Sequence, residues 1–216
     1  MKHITKTTEP AELLKWKSQD RKFQKGEPKW NRIPTPLKER IREDLRKEQG
    51  FICAYCERFL QENDYHMEHL KPKGLRQYTI FLADYDNLVC SCQFELKNGE
   101  PNHCGNSKGS WYDQTLFISP LDPGCETRFT YTFDGYIQPA IADDVAAITT
   151  INKLNLDIDK LNSLRQAAIE PFLDDSLSSQ EVIDFVNGYL KDKSLNGGRY
   201  NEFYTTIKSL FSSFII

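Results

Sequence analysis

Cys53-Ala54-Tyr55-Cys56 and, nine residues on, Tyr65-His66-Met67-Glu68-His69-Leu70-Lys71-Pro72-Lys73 decide how this chain is read. Two residues between cysteines let both thiolates reach one tetrahedral ion from a tight turn. Downstream lie Cys90, Cys92 and Cys104, with His103 beside the last. A second pair drawn from these closes a four-ligand site, which is structural because no position is left for water. The expected quartet is Cys53, Cys56, Cys92 and Cys104, with Zn²⁺ as the ion. Cys90 and Cys92 are expected to point to opposite sides of an extended chain, which makes one of them a bystander and leaves open which of the two joins the quartet. The competing reading is a set of free buried cysteines.

A zinc staple does not need the segment between the cysteine pairs. In an extended strand His66 and Glu68 share one face and His69 lies on the other. A glutamate beside a histidine offers a hard oxygen ligand and a neutral imidazole within one short span. Two satisfied surface histidines are the plain alternative, and the flanking cysteine pairs weigh against it. Asp86-Asn87-Leu88 and His103-Cys104-Gly105-Asn106-Ser107-Lys108-Gly109 follow.

Outward from this centre, residues 51–110 hold five of the six cysteines and three of the four histidines, so short strands and loops held by metal are expected there. Residues 11–24 read as a helix, and Gly26 to Pro36 as a proline-rich connector. Leu37, Ile41 and Leu45 recur every four residues up to Gly50, an amphipathic helix with a glycine stop. Residues 127–138 read as a β-hairpin turning at Asp134-Gly135. A helix is expected over Ala142–Asn155. Asp157 is a candidate cap for the next, whose face is Leu161, Leu164, Ala168 and Phe172, and Ser178 or Ser179 for a third. Tyr200, Phe203, Tyr204, Ile207, Leu210, Phe211 and Phe214 form a helical stripe. The fold class is α+β, divided into an N-terminal helical region (1–50), a core with the hairpin (51–139) and a C-terminal helical region (140–216).

Apolar residues make up 39% of the 216-residue chain and charged residues 27%, ordinary for a globular protein. No apolar run approaches the roughly 18 residues that span a membrane. Met1 to Glu12 is polar, so no secretory signal is expected, and a cytoplasmic, reducing compartment is the default, where cysteines favour metal over disulfides. The net charge of −3 divides as +6 over residues 1–50, −2 over 51–110 and −7 over 111–216. A basic front could meet phosphates and an acidic back could not.

The order CxxC, Glu-His, Asn-Leu, then Cys followed by Lys-Gly resembles the zinc-bound HNH (ββα-metal) nuclease family. It is more closely similar to the HNH subunits of Septu-type and retron-associated antiphage systems, the PtuB group. The likeness lies in Cys53-Ala-Tyr-Cys56-Glu57, His66-Met-Glu68-His69 with Pro72-Lys73, Asn87-Leu88, and Cys104 with Lys108-Gly109. It continues through Ser119-Pro120-Leu121, the hairpin, Thr150-Ile151, Leu154-Asn155-Leu156, Leu161 and Arg165, over roughly residues 36–170. It implies a zinc-stapled ββα-metal core flanked by N-terminal and C-terminal α-helices. It makes His69 the general base that activates water, Glu68 a ligand of a catalytic Mg²⁺ or Mn²⁺, and Asn87 a brace that orients His69. In that family the second ligand is an Asn or His three residues before the lysine, where this chain has Gly105. Asn106 is favoured in its stead, ahead of His103, and His66 could also reach the ion. Lys73, Arg76 and Lys108 are candidate phosphate contacts, with ordinary exposed basic side chains as the alternative.

The resemblance further implies an effector nuclease acting on DNA or RNA, with an ABC/OLD-like ATPase (PtuA) as partner and, in some systems, a retron reverse transcriptase with its DNA. Two other readings compete. A non-catalytic zinc module binding nucleic acid or a protein needs the cysteines but not Glu68-His69. A stand-alone restriction or homing nuclease must bind DNA unaided, which the negative net charge disfavours.

Overall fold

The computed structural model describes residues 1–96 and 98–215. Helix α1 spans Ala11–Gln19 and α2 spans Arg21–Gln24. The single helix expected over 11–24 is broken at Asp20, whose carboxylate accepts from the Lys22 and Phe23 amides and starts a new helix. The same carboxylate pairs with Arg32 at 2.7 Å, which fixes the break. Helix α3, Thr35–Glu48, begins directly after Pro34 with Pro36 in its first turn, where a missing N–H costs nothing. Ile41 and Leu45 are its fully buried side chains, on the expected face. It stops at Gly50, φ +64°, where a Cβ would sit 2.5 Å from the Tyr200 ring.

Two strands and a short helix follow. β1 (Tyr65–His69) and β2 (Leu88–Cys92) pair antiparallel, with His66 opposite Ser91 and His69 opposite Leu88. Helix α4, Cys104–Lys108, packs on β2. A second ribbon, β3 (Phe129–Tyr131) and β4 (Ile137–Pro139), forms the expected hairpin. Its turn is longer than the two residues Asp134-Gly135 suggest: Thr132 N–H donates to Tyr136 O at 3.0 Å, closing a three-residue loop with Gly135 at φ +84°. A Cβ on Gly135 would lie 2.1 Å from Asn162 O, a backbone atom that cannot yield. Gly135→Ala is therefore expected to cost about 2–4 kcal/mol, from overpacking and the positive φ together, read by urea unfolding.

The C-terminal half is helical. α5 (Val145–Leu154) is capped by the Asp144 carboxylate and ends on Asn155 in the left-handed conformation. α6 (Asp159–Ile169) starts after Ile158, not at Asp157, whose carboxylate instead accepts from Asn162 Nδ2. Its buried face is Leu161, Arg165 and Ile169, and Leu164 is exposed, a rotation from the face expected. The cause is Arg165, which is buried and donates to Gly135 O, Leu156 O and Asn162 Oδ1, satisfying the guanidinium inside the core. α7 (Ser179–Tyr189) carries a full Ser178–Glu181 capping box. α8 covers only Tyr204–Leu210, because Phe203 adopts a left-handed conformation before it, and Tyr200 is drawn off to donate its N–H to Gly50 O.

One apolar core takes side chains from Ile4, Leu13, Ile41, Leu60, Leu88, Ile118, Ile137, Leu154 and Leu161, so all three regions of the sequence contribute to it. A smaller cluster joins Ile169, Phe172, Val186, Ile207 and Phe211. The architecture is mixed: helices around two small antiparallel ribbons. Among the described residues no helix is long and apolar enough to cross a membrane.

Candidate active site

The turn after α3, the end of β2 and the start of α4 bring four sulfurs together. The Sγ atoms of Cys53, Cys56, Cys92 and Cys104 lie within 4.8 Å of one another and all four residues are buried. Cys56 Sγ and Cys92 Sγ are 3.7 Å apart. Zn–S bonds of about 2.3 Å put tetrahedral sulfurs about 3.8 Å apart, so the spacing fits a zinc ion. Burial pushes the Cys104 thiol well up, whereas Cys56, equally buried, is held well down by hydrogen bonds from Cys104, Cys53 and Cys92. Four buried thiols this close ionise together only if a cation neutralises them, and a divalent soft-ligand metal such as zinc is the chemistry that does so.

Cys90 stays out of this cluster, though not through strand alternation. Residues two apart on a strand share a face, so the expected opposition to Cys92 does not hold. Cys90 Sγ instead donates to Arg42 O of α3, and burial pushes its thiol far up. Cys125 is likewise remote, directed at Met1 O and Pro120 O.

A cleft of about 250 Å³ opens beside the cluster, lined by His66, Glu68, His69, Lys73, Gly105 and Asn106 among others. Glu68 Oε2 and His66 Nε2 are 3.9 Å apart within it. Gly105 forms the opposite wall: a Cβ there would meet His66 Nε2 at 2.9 Å and Glu68 Oε2 at 3.1 Å. Burial raises the Glu68 carboxyl, against the pull of Lys108, and lowers the His66 imidazole.

His69 is almost wholly buried, with Nε2 3.2 Å from Leu82 O and the Trp30 ring edge-on at 4.6 Å between centroids. A carbonyl can only accept, so Nε2 carries the proton and Nδ1 keeps its lone pair. Burial pushes this imidazole down to about 4, so it is neutral near pH 7. Asn87, also buried, accepts from Lys71 N at 2.8 Å and donates to Lys71 O and Phe81 O. It thereby ties both ends of the loop that presents the Leu82 carbonyl.

Lys108 stands where a phosphate contact was expected and does something else. Its ammonium is fully buried, donating to Glu68 Oε1 at 2.7 Å and to His69 O at 3.0 Å. A side chain so committed cannot face a nucleic-acid backbone. Lys108→Met leaves the Glu68 carboxylate buried without its partner, so stability should fall by about 3–5 kcal/mol. Adding Glu68→Gln should recover most of that loss in denaturant unfolding; a double variant no more stable than the single one would refute the pairing as the cause.

His103, a candidate ligand in the cleft, is turned away from it. Its Nδ1 lies 3.1 Å from Cys104 Sγ and 3.8 Å from Cys92 Sγ, and it does not line the cleft. Asn106 does line it, with Nδ2 donating to Gln93 O at 2.7 Å. Lys73 is exposed at the rim, close enough to depress both His66 and His69. Arg76 is exposed in a neighbouring turn and does not line the cleft.

Three contributors escaped the sequence reading. Trp30 reaches His69 from the proline-rich connector, with no local signal to announce it. Ser91 Oγ accepts from Gly105 N at 3.0 Å and so seats α4 against β2. Gln93, at φ +64°, turns the chain out of β2 and accepts from His103 N through its side chain.

No family model matches the chain. It is similar to a Vibrio cholerae serotype O1 biovar El Tor protein named "Retron Vc95 putative HNH endonuclease", with 33% identity over 139 residues. The match covers 62% of this chain and 65% of that relative.

Proposed function

We propose that the chain is a metal-dependent HNH endonuclease that hydrolyses phosphodiester bonds in nucleic acid. The observation that carries this reading is one cleft holding a carboxylate, an imidazole at its side, and a second imidazole whose tautomer is set by a main-chain carbonyl. In this reading the zinc-stapled residues 51–139 form a ββα-metal core. His69 Nδ1 takes a proton from the water that attacks phosphorus, and Asn87 and Leu82 O keep the ring aimed. Glu68 holds the catalytic Mg²⁺ or Mn²⁺, which when bound supplies positive charge to the phosphate and leaving oxygen. Lys73 meets a substrate phosphate at the rim. Purified protein should cleave single- or double-stranded DNA or RNA with Mg²⁺ or Mn²⁺ and not with EDTA; no cleavage of any of them, with or without its partner, would sink the reading.

We further propose that this nuclease is the effector of an antiphage defence complex. The retron in the relative's name supports a multi-component setting, and the resemblance to PtuB supplies the ABC/OLD-like ATPase as partner. The helical regions 1–50 and 140–216 offer surface for that assembly. A chain with net charge −3 gains little affinity for nucleic acid from charge alone, which also favours delivery by a partner.

One observation favours a non-catalytic zinc module: Glu68 already has a buried cation, Lys108. That ammonium takes only Oε1, however, and leaves Oε2 facing the cleft. Metal analysis separates the two readings, since the module needs zinc alone.

A further inference from the structure

We infer that His66 from β1 is a protein ligand of the catalytic divalent ion beside Glu68, admitted by the missing side chain at Gly105. The inference rests on the nuclease reading above and specifies its metal site.

Three observations converge on it. His66 Nε2 and Glu68 Oε2 project from alternate positions of one strand into one cleft, 3.9 Å apart. Nitrogen and oxygen donors each about 2.1 Å from one octahedral ion lie about 3 Å apart as neighbours, so the pair shares an ion once side-chain rotation closes the gap by about 1 Å. Glu68 Oε1 is occupied by Lys108, which fixes the carboxylate and directs Oε2 toward His66.

The helix position that faces these donors is a glycine. Any side chain at 105 would begin 2.9 Å from His66 Nε2 and 3.1 Å from Glu68 Oε2, inside the contact distance of both. Gly105 is not at a positive φ, so backbone strain does not demand glycine there. What it provides is room, and His66 fills the room from the opposite wall. A side chain at position 105 would require His66 and Glu68 to move.

The other candidate in the cleft, Asn106, is tethered through its amide nitrogen and not through the oxygen that would bind a metal. Asn106 Nδ2 donates to the carbonyl of Gln93, the residue that turns the chain out of β2. Asn106 thus holds the turn after β2, beside the strand that carries His66. His103 faces the sulfur cluster.

The test uses the zinc-loaded full chain and Mn²⁺ alone, read by electron paramagnetic resonance with electron-spin-echo detection of ¹⁴N. Wild-type protein should bind Mn²⁺ with imidazole nitrogen modulation. His66→Ala should lose that modulation and bind at least tenfold more weakly, and His66→Gln should lose the modulation while keeping zinc content and melting temperature. His69→Ala should keep the modulation. Asn106→Ala should keep it too, with affinity falling only a few-fold, and Gly105→Ala should weaken binding. Modulation that survives in His66→Ala, or that disappears in Asn106→Ala at full zinc content, overturns the assignment and leaves the nuclease reading intact. A wild-type protein that binds no Mn²⁺ even with nucleic acid present removes both.

Discussion

Cys56→Ser is expected to strip the chain of zinc and unfold much of it. Structural zinc supplies apparent folding energy of about 10–16 kcal/mol in small domains, while whole proteins are stable by only about 5–15 kcal/mol. Here the cluster joins three stretches that share little regular structure: the 53–56 turn, the end of β2 and the start of α4. Ala54 N–H donates to Cys90 O and Cys53 N–H to Arg58 O, so the turn is stitched to the ribbon it staples. Glu57, next in the chain, is buried and accepts from Thr205 N at 2.7 Å, which carries the disturbance to α8. Elemental analysis should find one zinc per wild-type chain and well under half of one in serine variants of Cys53, Cys56, Cys92 and Cys104. Circular dichroism should show the melting transition displaced downward by tens of degrees or lost. Cys90→Ser and Cys125→Ser should both retain zinc. A full complement of zinc in Cys56→Ser, or loss of it in Cys90→Ser, would contradict the quartet.

His69→Ala should reduce cleavage by about 10²–10⁴-fold, the usual contribution of a positioned general base. The loss should fall on kcat, with KM little changed, because the side chain is buried beneath the cleft and offers the substrate one nitrogen. Zinc content should not change, since His69 is outside the sulfur cluster. Some stability, about 1–3 kcal/mol, should be lost because the ring packs edge-on against Trp30 and the cavity cannot close fully. Chemical denaturation measures that part and single-turnover cleavage the other. Near-wild-type cleavage by a folded, zinc-replete His69→Ala protein would remove His69 from the chemistry. Trp30→Ala offers a contrast: it should loosen the ring without removing the base, giving a smaller rate loss.

Much of the molecule is legible from local pattern. Strands around His66 and Cys90, the hairpin at 129–139, and helices near 35–48, 145–154 and 179–189 follow from residue spacing and end signals, because hydrophobic period, capping and turn chemistry act within a few residues. The misplacements have a common cause. Asp20 breaks a helix through a contact with Arg32, Arg165 rotates α6 by burying its guanidinium, and Tyr200 is pulled from the last helix to Gly50. Each is a side chain meeting a partner distant in sequence, and propensity yields to it.

The candidate site divides the same way. Residue types and spacing alone determined that this chain carries cysteines spaced to hold a metal and a His-x-Glu-His segment, since ligand chemistry demands those atoms in short spans. Which sulfurs meet, which way each imidazole faces, and where Lys108 spends its charge were decided only by the tertiary structure. Cys92 and Cys90 are equivalent thiols until α3 supplies Arg42 O to one of them. Lys108 is an ordinary basic residue until folding buries it against Glu68. Gly105 is a gap in a pattern until β1 is laid across it and His66 occupies the space. The physical reason is that donor type is a covalent property, written residue by residue. Donor direction and the cost of burial depend on which groups the fold brings within a few ångströms.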